Sequence, residues 1–296
     1  MHNHSHRHND SSRRIGLAFL LNVTFTVIEL IGGILTNSTA IMADAVHDLG
    51  DSLSLGAGWL LSRLSGRTAD NKFTYGYRRL SLLAALINGV VLMGGSAWVL
   101  IEAIPRLTDP VMPQTEGMIA LALLGVAVNG FAAWRLSQGA TLNEKVLNWH
   151  LLEDVLGWVA VLVVALVLQF FHWPVLDPLL SIGFTLFILI NVLRNLWRTG
   201  KIFLQAAPDE SICEAVCVAL RNLEGVDDVH HVHLWSLDGE HHVLTAHVVV
   251  TNALDRNQHS ALKGKIADIL APFGFEHTTI EIEFGEESCR DSLADT

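Results

Sequence analysis

Two apolar stretches of this sequence carry imidazoles and carboxylates on shared helical faces. The first, TAIMADAVHDLGDSLSLGAGWLL (39–61), holds Asp44, His47, Asp48 and Asp51. Their i, i+3, i+4, i+7 order sets all four along one side of a helix. The second, Val146–Phe171, holds His150, Glu153 and Asp154, with His150 and Asp154 one turn apart. An ionised carboxylate at mid-bilayer costs about 2.5–3.5 kcal/mol even by the lenient insertion measure, so such groups persist where they bind or relay something. No stretch supplies a mid-span base to neutralise them, since Arg135 and Arg194 sit near the ends. Two His-x-x-x-Asp pairs on separate helices point to a metal or proton site. Together His47, Asp51, His150 and Asp154 make an N2O2 set suited to tetrahedral Zn2+, whereas alkali-cation pores use rings of carbonyls. Zinc binding needs neutral His and ionised Asp, so metal and protons compete for the same atoms. Glu29 either lines this pathway or joins a polar network with Asn22.

The helices that carry these groups belong to a set of six apolar runs, read as six spanning helices. Apolar runs lie at Ile15–Leu35, Thr39–Leu61, Leu80–Ile104, Met118–Leu136, Val146–Phe171 and Val175–Leu196. Each has about 20 residues, enough at about 1.5 Å per residue to cross about 30 Å of hydrocarbon. Hydrophobic residues make up 51% of the 296 and mean hydropathy is +0.40, more apolar than a soluble surface allows. The polar start, MHNHSHRHNDSSRR, and the length of the first run argue against a cleavable signal peptide. Arg13, Arg14, Arg63, Arg67, Lys72, Arg78, Arg79, Arg135, Lys145, Arg194, Arg198 and Lys201 fall at alternate ends of the spans. Loops on the other side carry only Arg106. That bias places both termini in the cytoplasm.

The expected organisation is a His-rich segment (1–13), a membrane domain (14–204) and a cytoplasmic α+β domain (205–296). The last part carries 17 acidic residues against 5 basic, within a chain of net charge −11. It is ill suited to nucleic acid and apt to concentrate cations. Cys213, Cys217 and Cys289 all fall in it, so a disulfide framework is not expected. Helical spacing of Ile212, Ala215, Val216, Ala219 and Leu220 begins an α-β-β-α-β order. His230–Leu237 and His241–Thr251 flank Asp238-Gly239, a two-residue hairpin signal. Ala261, Leu262, Ile266, Ile269 and Leu270 mark a second helix, and Thr278–Phe284 a final strand. A two-residue turn pairs residues whose numbers sum to 477, so His230 faces His247, close enough for both rings to reach one metal.

The segments ADAVHDLGD (43–51), FTYGYRRLSLLAAL (73–86), HLLED (150–154), HHVHLW (230–235), TAHVVV (245–250) and HTTIEIE (277–283) resemble, in order, those of the cation diffusion facilitator family. The likeness is greatest to its bacterial zinc exporters and vesicular zinc transporters. The resemblance implies a homodimer of six-span chains in a bacterial inner membrane, with a ferredoxin-like cytoplasmic domain. It implies export of Zn2+ in exchange for H+ by alternating access. Carried over, His47, Asp51, His150 and Asp154 are the transport ligands, and His at position 47 favours zinc where Asp admits Cd2+. His230 and His247 match positions that bind regulatory zinc, and His277 and Glu283 resemble the rest of that site. Two departures stand out. Some members bind a second ion at an Asp and following histidines between spans 2 and 3; here Asp70 is followed by Phe73, Tyr75 and Tyr77, so that ion is not expected. The long His-rich loop of vesicular members is replaced by Ser137–Asn143, without His.

His231, His233, His241 and His242 are read as non-ligands, and Cys213 and Cys217 as packing residues. Cys289 is a candidate to complete a site across a dimer. His2, His4, His6 and His8 either gather zinc weakly or form a solvated tail. Other function classes fit less well. An intramembrane metalloenzyme lacks a His-Glu-x-x-His pair and a nucleophile. A passive metal channel is separated from an antiporter by transport against a zinc gradient, and a membrane-anchored sensor needs no ligands in mid-membrane.

Overall fold

The computed structural model describes residues 4–65, 69–137, 142–251, 254–285, 287 and 289, with side chains apart from those of 4–18, 55, 58–65 and 142–147. The expectations for the N-terminal histidines lie outside the described side chains. Six long helices come first: α1 (His4–Thr36), α2 (Thr39–Ser65), α3 (Leu80–Ala103), α4 (Thr115–Ser137), α5 (Leu142–Phe171) and α6 (Leu176–Phe203). Among the described residues five of them contain segments long and apolar enough to cross a membrane. The sixth, α2, is 27 residues long; its acids and His47 lower its apolarity without shortening it.

The chain divides into two compact units, Met1–Ser62 with Ala84–Leu196, and Arg63–Leu83 with Trp197–Thr296. In the first, α2 takes part in two buried clusters. Ala40 and Ile41 pack with Phe25 of α1, Met118 and Ala122 of α4, and Trp158 and Val161 of α5. Ala43 and Val46 pack with Leu92 and Val99 of α3 and with Ile188 and Val192 of α6. Lipid is as apolar as these side chains, so the contacts rest on close van der Waals fit, and small residues permit it. Gly125 of α4 shows why: a Cβ there would sit 2.3 Å from the Trp158 indole.

The second unit holds α7 (Glu210–Arg221), β1 (Val226–Ser236), β2 (His242–Val250), α8 (Arg256–Leu270) and β3 (His277–Phe284). Asp209 caps α7, and Asp255 with Gln258 forms a capping box on α8. The sheet runs β1-β2-β3, the first pair antiparallel and the second parallel. Val216 and Leu220 of α7 and Leu262, Ile266 and Leu270 of α8 share one core with Val229, Leu244, Ala246 and Val248. This is the α-β-β-α-β order and the α+β class expected.

The hairpin differs from expectation in its turn. It closes over Leu237–His241, with the Leu237 N–H donating to His241 O at 2.8 Å, because Asp238 accepts the N–H groups of Glu240 and His241. Ser236 therefore pairs with His242, one residue out of the expected register. A bulge between His230 and His233 removes the offset, and His230 does face His247. His231 takes up a left-handed φ of 48° at that bulge.

Candidate metal centres

In the first unit, α2 and α5 bring together the groups read from the sequence. His47 Nε2 lies 3.5 Å and His150 Nε2 3.1 Å from the same atom, Asp51 Oδ2. Asp154 Oδ2 is 3.8 Å from His150 Nε2, and the two imidazoles meet edge-on with centroids 5.9 Å apart. One ligand atom each from His47, Asp51 and His150 falls within 4.8 Å of the others. An ion held by bonds of about 2.0–2.1 Å would space its tetrahedral donors about 3.3 Å apart, so small rotations suffice to close this set. A cavity of about 320 Å3 reaches Asp44, His47, Glu153 and Asp154. Glu29 is fully buried beside Asp44, Asp48 and Trp158. The Asn22 amide instead donates to Ser52 Oγ at 3.2 Å.

A second group forms on the sheet. His247 Nδ1 is 2.8 Å from one Glu283 oxygen and His230 Nε2 is 3.1 Å from the other. Cys289 Sγ approaches the same His247 Nδ1 at 3.4 Å. Ligand atoms of His230, His247, Glu283 and Cys289 all lie within 4.8 Å of one another, an N2OS donor set of the kind Zn2+ accepts. His277 is not brought to this group. Its ring packs against Tyr75, centroids 5.1 Å apart, because it pairs with Val243, four residues along β2 from His247. Two neighbours differ from the sequence reading, which offered Cys289 only as a ligand across a dimer and read His231 as a non-ligand. Cys289 reaches the site from within the same chain, and the bulge turns His231 against His247, centroids 5.1 Å apart.

Asp70 is engaged by its own loop. Its Oδ1 accepts the N–H groups of Lys72 and Phe73, both at 2.8 Å, and its Oδ2 accepts the Tyr77 hydroxyl at 2.6 Å. The Tyr77 hydrogen bond, with the two backbone donors, holds its carboxyl below the usual carboxylate range. Nearby, Arg78 donates to Glu276 at 2.8 Å.

Residues 15–204 match the cation efflux transmembrane domain, and residues 208–284 the cytoplasmic domain of cation efflux proteins. Among curated proteins the chain is similar to a cadmium, cobalt and zinc/H(+)-K(+) antiporter of Bacillus velezensis, 31% identical across 95% of this chain and 91% of that one. It is similar to the zinc transporter ZitB of Pectobacterium atrosepticum, 34% identical across 96% and 89%. It is similar to the metal cation efflux system protein CzcD of Cupriavidus metallidurans, 32% identical across 95% and 89%.

Proposed function

The chain belongs to the cation efflux family of membrane transporters, and from that premise we propose that it exports Zn2+ from the cytoplasm in exchange for protons. The observation that carries the reading is Asp51 Oδ2, shared by two imidazole nitrogens at 3.5 and 3.1 Å on helices α2 and α5. With both imidazoles neutral and the carboxylates ionised, His47, Asp51, His150 and Asp154 hold the zinc substrate. Protonating an imidazole removes its lone pair and leaves an Asp51–imidazolium pair in place of the metal. Zinc and protons thus exclude each other at one set of atoms, and alternating exposure of that set makes the exclusion an exchange. The chain acts as a homodimer in a bacterial plasma membrane, with both termini inside. The names of the relatives extend the range of substrates to Cd2+ and Co2+. The His230, His247, Glu283 and Cys289 group binds a regulatory zinc.

Zinc uptake by everted vesicles tests this. Accumulation should require an acid lumen, collapse when the pH gradient is dissipated, and vanish in Asp51→Ala and Asp154→Ala. Uptake indifferent to the gradient would sink proton exchange. Wild-type flux in either variant would sink the site. A K+ gradient imposed at constant pH separates proton exchange from the potassium coupling in the Bacillus protein's name.

A further inference from the structure

The start of α2 is held by a side chain from another helix. Ser38 precedes the first turn and its hydroxyl accepts the Ile41 N–H at 3.2 Å, an N-cap. The N–H groups of Thr39 and Ala40 reach Asp177, in the first turn of α6. Asp177 Oδ2 accepts the Thr39 N–H at 2.7 Å and the Thr39 hydroxyl at 2.8 Å. Its Oδ1 accepts the Ser38 hydroxyl at 2.5 Å and the Ala40 N–H at 3.4 Å. One turn further along α6, the Ser181 hydroxyl donates to Thr39 O at 2.9 Å. Asp177 is 1% exposed, so its charge is stabilised chiefly by these donors and by the positive end of the α2 dipole. Around it, Gln114 N–H donates to Thr36 O at 2.8 Å, and Arg106 donates to Asn37 O and Oδ1 at 2.7 and 2.8 Å.

We infer that Asp177 is a positioning residue for the α2 half of the ion site: by capping α2 from α6 it sets the height and rotation at which His47 and Asp51 meet His150. The restraint needs two anchor points. Adjacent backbone N–H groups sit about 100° apart around a helix axis, so one carboxylate gripping both fixes rotation as well as height. His47 lies eight residues beyond Thr39, about 12 Å along the same helix. A small rotation at the cap therefore moves both His47 and Asp51, which share one face, away from α5. Packing does not supply this restraint by itself. The contacts of Ala43 and Val46 with Ile188 and Val192 are apolar and lack direction.

This inference rests on the zinc-transport reading, and the test separates the two. Concentration dependence of zinc uptake is measured in everted vesicles for wild type, Asp177→Asn, Asp177→Glu and Thr39→Val, normalised to transporter in the membrane. Asp177→Asn removes the charge and turns one of the two accepting oxygens into an NH2 group facing two of the four donors, and should raise KM about tenfold or more. Asp177→Glu restores charge and should recover part of that loss. Thr39→Val removes one hydroxyl and keeps the backbone bonds, so KM should rise about two- to fivefold. The double variant Asp177→Asn/Thr39→Val should be no worse than Asp177→Asn alone. A purely structural role would lower the amount of protein and leave KM unchanged; that result, or additive effects in the double variant, overturns the inference. If Asp177→Asn does not accumulate, the Thr39→Val KM decides. A wild type that moves no zinc would sink the transport reading instead.

Discussion

Replacing one imidazole of the proposed α2–α5 site should change which metals it accepts. His47→Asp exchanges a nitrogen donor for a harder oxygen able to bind through two atoms, which relaxes tetrahedral geometry and admits larger ions. The ratio of Cd2+ to Zn2+ flux is expected to rise several-fold in a competition assay, and an unchanged ratio would remove His47 as a selectivity residue. Asp70 is the contrasting carboxylate. Its pKa is depressed by Tyr77 and two backbone donors, so what it adds to the loop is present above the ordinary carboxylate range and is lost only as pH falls below it. Near neutral pH, Asp70→Asn should leave zinc flux within about twofold, since the loop retains its Arg78–Glu276 pair; a large loss would restore Asp70 to the transport path. His47, Asp51 and His150, whose ligand atoms the structure gathers, stand out in the sequence because charge is anomalous in an apolar helix. The sheet site was legible only in part. The two facing histidines were read from hairpin pairing and Glu283, like His277, from the family resemblance, but His277 lies about 13 Å along the sheet at about 3.3 Å per residue. Cys289 stands five residues beyond Phe284, the end of β3, where no periodicity indicates that the tail folds back. Co2+ titration of the full chain checks its role: a thiolate charge-transfer band is expected and should disappear in Cys289→Ser, while His277→Ala should leave it intact.

The contact between α4 and α5 is set by Gly125. Adding a Cβ there meets the Trp158 indole at 2.3 Å, and Trp158 is fully buried in the cluster that also contains Phe25 and Ile41. Gly125→Ala should cost about 1–3 kcal/mol by overpacking. Trp158 follows Asp154 by one helical turn, so displacement of the ring should carry the carboxylate with it. Both a lower melting temperature in detergent and a weaker zinc KM are expected; a melting temperature and KM equal to wild type would show that the interface yields freely. Apolar runs revealed every helix in the bundle. They did not reveal which helices touch, because a lipid-facing Leu and a helix-facing Leu read alike. The hairpin holds a different lesson. A turn longer than Asp238-Gly239 and a bulge at His231 offset one another, so the facing of His230 and His247 was reached from a turn the chain does not form. Side-chain acceptance by Asp238 governs that turn, and neither compensation is visible in alternation of polar and apolar residues.

The connector Arg63–Leu83 joins α2 to α3 yet forms a compact unit with Trp197–Thr296. Sequence order assigned it to the membrane domain, since its links to the start of β3 and the residue before it, Tyr75 with His277 and Arg78 with Glu276, span about two hundred positions. Those links require that the connector and the C-terminal domain share one side of the bilayer. We propose from the distribution of Lys and Arg that this side is the cytoplasm, with Thr36–Ser38, Arg106 and Phe171–Pro174 on the opposite side. This topology can be read with a membrane-impermeant thiol reagent in a background lacking the three native cysteines. A cysteine at Asn71 and one at Glu240 should both label in everted vesicles and stay protected in sealed right-side-out ones. A cysteine at Val111, in the connection between α3 and α4, should show the reverse. Labelling of Asn71 and Glu240 positions from opposite sides would contradict the contacts within the second unit. Labelling of both from the outside would preserve those contacts and invert the orientation, turning the proposed exporter into a protein with its acidic, metal-binding domain facing away from the zinc it is proposed to sense.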